Sequence, residues 1–525
     1  MNGLPLVRYA DGKQKFLLHR GEGFVYTRLP EGTRVIYPPQ PLPPIRDVHQ
    51  AIDHALANPL DSDPLAAQLR PGMKVTIAFD DISLPLPPMQ TPDLRQRIIE
   101  RLLQILTDAG IDDIHLIAAL SLHRRMTPGE LRRILGARIF NVFFPHRLYN
   151  HDAEDPEHIV SLGVTENGEE VELNRRAAES DLLIYVNINL ASMDGGHKSI
   201  PVGLGTYKSV RWHHNVPTLL RCESYMDPPR SALHHVCDRM GRVVNEHCRV
   251  FHIETTLNSA TFPSLLRFLE KQEVEFSPLD RINFHANRHA LDWMPFWLKN
   301  AIFHSMRAPY GLTSIQAGKT SAVHERTLAH VYRQQAVPVA GQSDVMIVGL
   351  PYLSPYNVNS IMNPILVWCL GLGYMFNLYR NKPLVRRGGV MILLHPLYNR
   401  FHPVHHPSYI DFFEEVLSET RDAAEIGRRF EESYAYNPRY IELYRRSYAY
   451  HGVHPFYMWY WGCYAQQYLG RVICVAPESQ KAAQRLGWDA AASLDEAIEM
   501  AQDTVGRNPS ISVYRCPPLF LCDVT

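Results

Sequence analysis

The chain lacks an excess of charge of either sign, since 53 Lys and Arg stand against 54 Asp and Glu. A nucleic-acid binder needs a basic surplus to neutralise phosphates, so this balance argues against one. Its eight cysteines contain no CxxC pair. That leaves neither a zinc knuckle nor a disulfide framework and reads as reduced thiols in the core of a cytoplasmic protein. The first sixteen residues have no apolar secretory segment. A clean run of about 20 apolar residues, as a membrane span requires, is also missing. The longest apolar stretch, 361–379, is broken by Asn363, Pro364 and Asn377 and reads as a buried helix–turn unit. No fixed-period repeat appears, and low complexity is confined to the prolines around 38–44.

What remains is a globular balance, with 46% hydrophobic and 20% charged residues, over a length that accommodates two or more domains. The proline-rich stretch reads as an extended arm leading into a helix over 48–57. β-Branched runs at 73–79, 114–120 and 182–186 alternate with helical spacing at 94–109 and from about 128. Strand, helix, strand in succession predicts α/β structure with a largely parallel sheet. A second set of strands is expected at 344–349, 389–394 and 471–475, beyond a helical, aromatic region around 280–340 with no clear strand. The expected architecture is two α/β domains, 1–280 and 281–525, with an interdomain cleft.

Four clusters carry chemistry. Asp80-Asp81-Ile82-Ser83 ends a strand, where a carboxylate and a hydroxyl either hold a ribose or phosphate or cap a helix. His123, in Ser121-Leu122-His123-Arg124-Arg125, follows another strand and suits a general base. Gly195-Gly196-His197-Lys198 lets backbone amides approach an anion, although it is no Walker loop. His213-His214 offers one metal ligand and one packed neighbour. Taken singly, each reads at least as well as a turn or a cap.

Their order and spacing resemble the nickel-pincer lactate racemase family. The resemblance runs through Asp81-Ile82-Ser83-Leu84-Pro85, the His123 loop, His151-Asp152-Ala153-Glu154-Asp155, Gly195-Gly196-His197-Lys198 and His214. It implies a nickel-pincer nucleotide, a pyridinium dithio mononucleotide tethered to Lys198, which reacts as a neutral amine. It further implies nickel ligation by His214, with His213 as the alternative ligand, and a cradle formed by Asp81, Ser83, Gly195 and Gly196. His123 matches one of two family catalytic histidines. The implied activity is racemisation or epimerisation of a 2-hydroxy acid or related hydroxy compound by hydride abstraction and return. The implied partners are cofactor-synthesis proteins and a small hydroxy-acid-like substrate. The other reading is a cofactor-binding homologue that racemises nothing.

The sequence departs from the family where substrate is held. The second catalytic histidine corresponds to Ile188 or Asn189, the arginine of the first motif to Leu84, and two further polar positions to Met362 and Ile365. Lactate is therefore expected to be a poor substrate, and a larger or less acidic compound a better one, contacted by histidines of the second half such as His395, His405, His451 or His454. The aromatic run 456–461 is expected to pack as core.

Overall fold

The computed structural model describes residues 4–525 as two α/β domains. The first is built on a six-stranded sheet. Its strands Lys74–Asp80, Asp113–Ala119 and Leu148–Asn150 lie side by side on one half, and Leu182–Asn189, Val250–Leu257 and Leu312–Gly318 on the other. All pair in parallel except the last, which runs antiparallel to Val250–Leu257. Numbered along the chain, the spatial order is 3-2-1-4-5-6, which reverses direction between Lys74–Asp80 and Leu182–Asn189. In such sheets the loops leaving those two strands at their carboxyl ends diverge to opposite faces and open a crevice.

Local sequence explains the elements around it. The strand Leu182–Asn189 is buried at every position, as a central parallel strand with helices on both faces requires. The helix Leu94–Asp108 buries Ile98, Ile99, Leu102 and Leu106 and is capped by Asp93, whose side chain accepts from the Arg95 amide. Thr127 and Glu130 form a reciprocal capping box at the start of the helix Pro128–Phe143.

The second domain has a seven-stranded sheet centred on Ser343–Gly349, Val385–Leu394 and Arg471–Val475. Its far side recruits Arg34–Ile36, parallel to Ile511–Tyr514, and Val7–Tyr9. The division expected at 280/281 therefore does not follow the strand pairing. Val7–Tyr9 and Arg34–Ile36 complete the C-terminal sheet, and Leu312–Gly318 closes the N-terminal one. The region around 280–340, expected to be strand-free, holds that strand and Ala336–Val339. Both are edge strands whose hydrogen-bonding partners come from remote sequence, so local pattern does not announce them.

The proline-rich arm is the crossover between the sheets, held by Asn258, which donates to the Leu42 carbonyl at 3.0 Å, and by Gln334, which accepts from the Leu42 amide at 2.8 Å. Further links span the domain boundary. Arg445 bridges Asp152 and Asp155 at 3.0 and 3.1 Å, and His451 meets Glu154 at 3.0 Å. The acidic segment 151–155 thus latches the two domains together. Residues 361–379 fold as a short α-helix, a π-helical turn and a 3-10 turn, buried almost throughout. No helix among the described residues is long and apolar enough to cross a membrane.

Candidate active site

A deep cavity opens at the carboxyl edge of the first sheet, at its switch point, and is roofed by the second domain. Asp81, Ser83, His123, Gly195, Lys198 and His214 all line it. Gly196 does not. Its amide instead donates to the buried Glu254 carboxylate at 2.6 Å.

Asp81 and Ser83 have a different partnership from the expected cradle. One Asp81 oxygen accepts from the Ser83 amide and hydroxyl at 2.9 and 2.5 Å. The other lies 2.8 Å from His123 Nδ1. Burial alone would raise the Asp81 carboxyl, but the His123 imidazole and the Ser83 donors outweigh it and hold the group below its ordinary range. An ionised carboxylate only accepts, so Nδ1 of His123 carries the proton and Nε2 presents a lone pair. This is the geometry of an oriented base.

The glycine loop is built on Glu254. Gly195 sits at φ +83°, and a Cβ there would lie 2.3 Å from Asn189 Nδ2 and 2.6 Å from Glu254 Oε1. The backbone must therefore run where no side chain fits. Glu254 also meets His324 Nδ1 at 3.2 Å, and Asn189 donates to the Asp194 carbonyl at 2.9 Å. Burial opposes the charge on Glu254, but His324, His252 and the Gly196 amide together lower it to about 2. Asp194 accepts from the Leu190 and Ala191 amides at 3.1 and 2.8 Å, bracing the turn that carries Lys198.

Three features suit a large polar cofactor. The Lys198 amine lines the cavity without a salt-bridge partner among the described residues. Ser199 Oγ, beside it in the wall, is buried with no hydrogen-bond partner. His214 Nδ1 lies 2.6 Å from His213 Nδ1, which engages one ring nitrogen of His214 and leaves Nε2. His213 is fully buried and absent from the lining, so His214 is the one of the pair able to reach a metal. Among the described residues no three His, Cys, Asp or Glu side chains cluster to hold an ion.

The second domain contributes a wall that the sequence reading did not identify. Tyr356 lies edge-on to His123, with ring centroids 5.3 Å apart. Its hydroxyl is 2.8 Å from that of Tyr374. Tyr374 in turn stacks on Trp461 at 5.6 Å, and Trp461 meets the His214 ring at 5.5 Å. One aromatic surface therefore runs from His123 to His214. The run 456–461 is buried core as expected, but Trp461 also faces the cavity.

The second-half histidines do not line the cavity. His454 packs behind His123 at 5.4 Å with its Nδ1 on the Tyr409 hydroxyl at 2.6 Å, His405 bonds Ser360 at 2.9 Å, and His451 serves the latch. Met362 and Ile365 are 2% and 0% exposed and belong to the core. Ile188 is also core. Only Leu84, of the departures noted above, faces the site.

Residues 21–226 match the lactate racemase N-terminal domain. Over 171 residues the chain is 29% identical to the lactate racemase of Lactiplantibacillus plantarum, a stretch covering 32% of this chain and 38% of that protein. The solved lactate racemase apoprotein from Thermoanaerobacterium thermosaccharolyticum superposes with a TM-score of 0.64 at 15% identity, covering 97% of this chain and 99% of that one. A Thermotoga maritima protein gives 0.52 at 15% identity, covering 93% and 100%. At that identity the structural likeness speaks to the fold alone. Residues 21–226 thus match a lactate racemase N-terminal domain in sequence, and the whole chain shares the fold of the lactate racemase apoprotein.

Proposed function

We propose that the chain is a racemase or epimerase of a hydroxy compound and works with a lysine-tethered nickel-pincer nucleotide. The observation that carries this is the convergence of the Asp81–His123 dyad, the Lys198 amine and the His214 imidazole on one cavity at the switch point. Lys198 would hold the organic group by an amide-type link and His214 Nε2 would hold the nickel, to which an imidazole is well suited. Such a cofactor supplies, when bound, reversible acceptance of hydride. His123 Nε2 takes the hydroxyl proton of the substrate as hydride leaves the carbinol carbon, and returns it afterwards. Asp81 keeps the imidazole in the tautomer that can accept and stabilises the imidazolium that results. The wall of Tyr356, Tyr374 and Trp461 excludes water from the planar carbonyl intermediate.

Two measurements test this. Protein produced with the cofactor-synthesis proteins should carry a covalent adduct on Lys198 by intact mass and peptide mapping, and bound nickel by elemental analysis. Lys198→Ala should lose both, whereas His214→Ala should keep the adduct and lose nickel. Absence of the adduct in loaded wild-type protein would refute the cofactor assignment. The cofactor-binding homologue without racemase activity is supported by the residues expected at the second base, Ile188 in the core or Asn189 bonded to the Asp194 carbonyl, neither of which serves as a base. Adduct and nickel without isomerisation of any hydroxy compound would favour it.

A further inference from the structure

Building on the proposed function, we infer that the substrate is an uncharged secondary alcohol carrying an aryl or similarly broad apolar group, not a 2-hydroxy carboxylate.

The charges around the cavity carry this inference. Apart from its histidines, Lys198 is the only cationic side chain in the wall among the described residues, and tethering converts its amine to a neutral amide-type nitrogen. The buried arginines nearby are fully engaged elsewhere. Arg95 pairs with Asp93 at 2.8 Å and donates to the Asp80 and Asp81 carbonyls at 2.8 and 2.6 Å. Arg124 holds Glu130 at 2.7 and 3.0 Å and the Val358 carbonyl at 3.0 Å. Leu84 offers only a hydrocarbon at the mouth of the first strand.

Carboxyl groups, by contrast, are abundant. Asp80, Asp81 and Asp194 all line the cavity. Burial pushes the Asp80 carboxyl up to about 7 and raises Asp194 as well, so the site already resists the negative charge it holds. A substrate carboxylate would be stripped of water beside three acids with no side-chain cation to meet it, a burial of charge that the protein wall does not compensate.

The second domain supplies what an apolar substrate needs. The Tyr356 and Tyr374 hydroxyls bond each other, so both are partnered within the wall they form with Trp461. Leu84, Leu86 and Leu353 add aliphatic surface to the same cavity.

The test is calorimetric binding of (R)- and (S)-1-phenylethanol, mandelamide, mandelate and lactate to the cofactor-free chain and to its Lys198→Gln variant. Lys198→Gln removes the cation as the tether would. In that variant 1-phenylethanol and mandelamide should bind at least tenfold more tightly than mandelate, and lactate should not bind measurably. Leu84→Arg in the same background should raise mandelate affinity at least tenfold, with Leu86→Arg as the second variant if the first melts early. Mandelate binding as tightly as mandelamide in Lys198→Gln would overturn the inference. So would failure of both neutral compounds to bind, or an unchanged preference in the arginine variant. A missing Lys198 adduct in loaded protein refutes the cofactor assignment by itself, whereas equal binding of mandelate refutes the substrate class even when the adduct is present.

Discussion

The two walls of the cavity are made in opposite ways. The N-terminal wall is polar, and each group is fixed by a short-range or strand-end partner: Ser83 and His123 on Asp81, the Gly195–Gly196 turn on Glu254. The C-terminal wall is aromatic, assembled from Tyr356, Tyr374 and Trp461 on three separate segments and held mainly by ring contacts. Hydrogen bonds constrain direction, so the first wall can aim a lone pair or an amine at a defined point. Apolar contact is non-directional and follows area, so the second wall can change shape and chemistry without disturbing the first. A family that keeps one wall and varies the other can keep its chemistry and change its substrate.

The contrast can be broken at several points, with effects of decreasing size. His123→Ala should lower turnover of the loaded protein by about 10²–10⁴-fold, the range for removing a positioned base, while leaving the Lys198 adduct intact. Chiral chromatography and intact mass read the two outcomes separately.

Glu254→Ala strips a fully buried carboxylate from His324 and the Gly196 amide. A loss of about 3–5 kcal/mol in unfolding free energy is expected, as for other broken buried pairs, measured by urea denaturation. The pH dependence follows from the lowered carboxyl. The Glu254 contribution is complete above its ordinary value of 4.5 and is lost as pH falls toward about 2. Wild-type stability should therefore fall with pH in that window, and the variant should lack this component.

Gly195→Ala forces a side chain into a positive-φ site already occupied by Asn189 and Glu254. It should cost about 1–3 kcal/mol and reduce adduct formation on Lys198 by mass spectrometry. The smallest effect is expected from Met362→Leu. This position is core in the structure, so a near-isosteric change should cost less than about 1.5 kcal/mol and leave ligand preference unchanged. A shift in preference would mean that Met362 reaches the substrate after all.

Much of the polar wall was legible in the sequence because its residues sit in short loops after strands. Asp81, His123 and Lys198 each follow a β-branched or apolar run that predicts a parallel strand, and such strands deliver their carboxyl-end loops to one edge. The roles were less legible than the places. Asp81 was expected on the cofactor, yet it orients His123, because the strands Lys74–Asp80 and Asp113–Ala119 are direct neighbours in the sheet. Glu254 was missed. A single acid inside the buried strand Val250–Leu257 was a signal in itself, since a charge in an otherwise apolar strand needs a partner.

The sequence by itself determined the α/β alternation and the strand ends whose loops line the cavity, because these depend on local pattern and residue identity. Tertiary structure alone decided which strands share a sheet, so that Val7–Tyr9 and Arg34–Ile36 join the sheet of the last domain. It also decided that Met362 and Ile365 turn into the core, that the second-half histidines pack behind the site, and that Tyr356, Tyr374 and Trp461 meet as one wall. The physical reason is that contacts between remote segments depend on how whole layers pack, and no spacing within either segment encodes the face its partner will present.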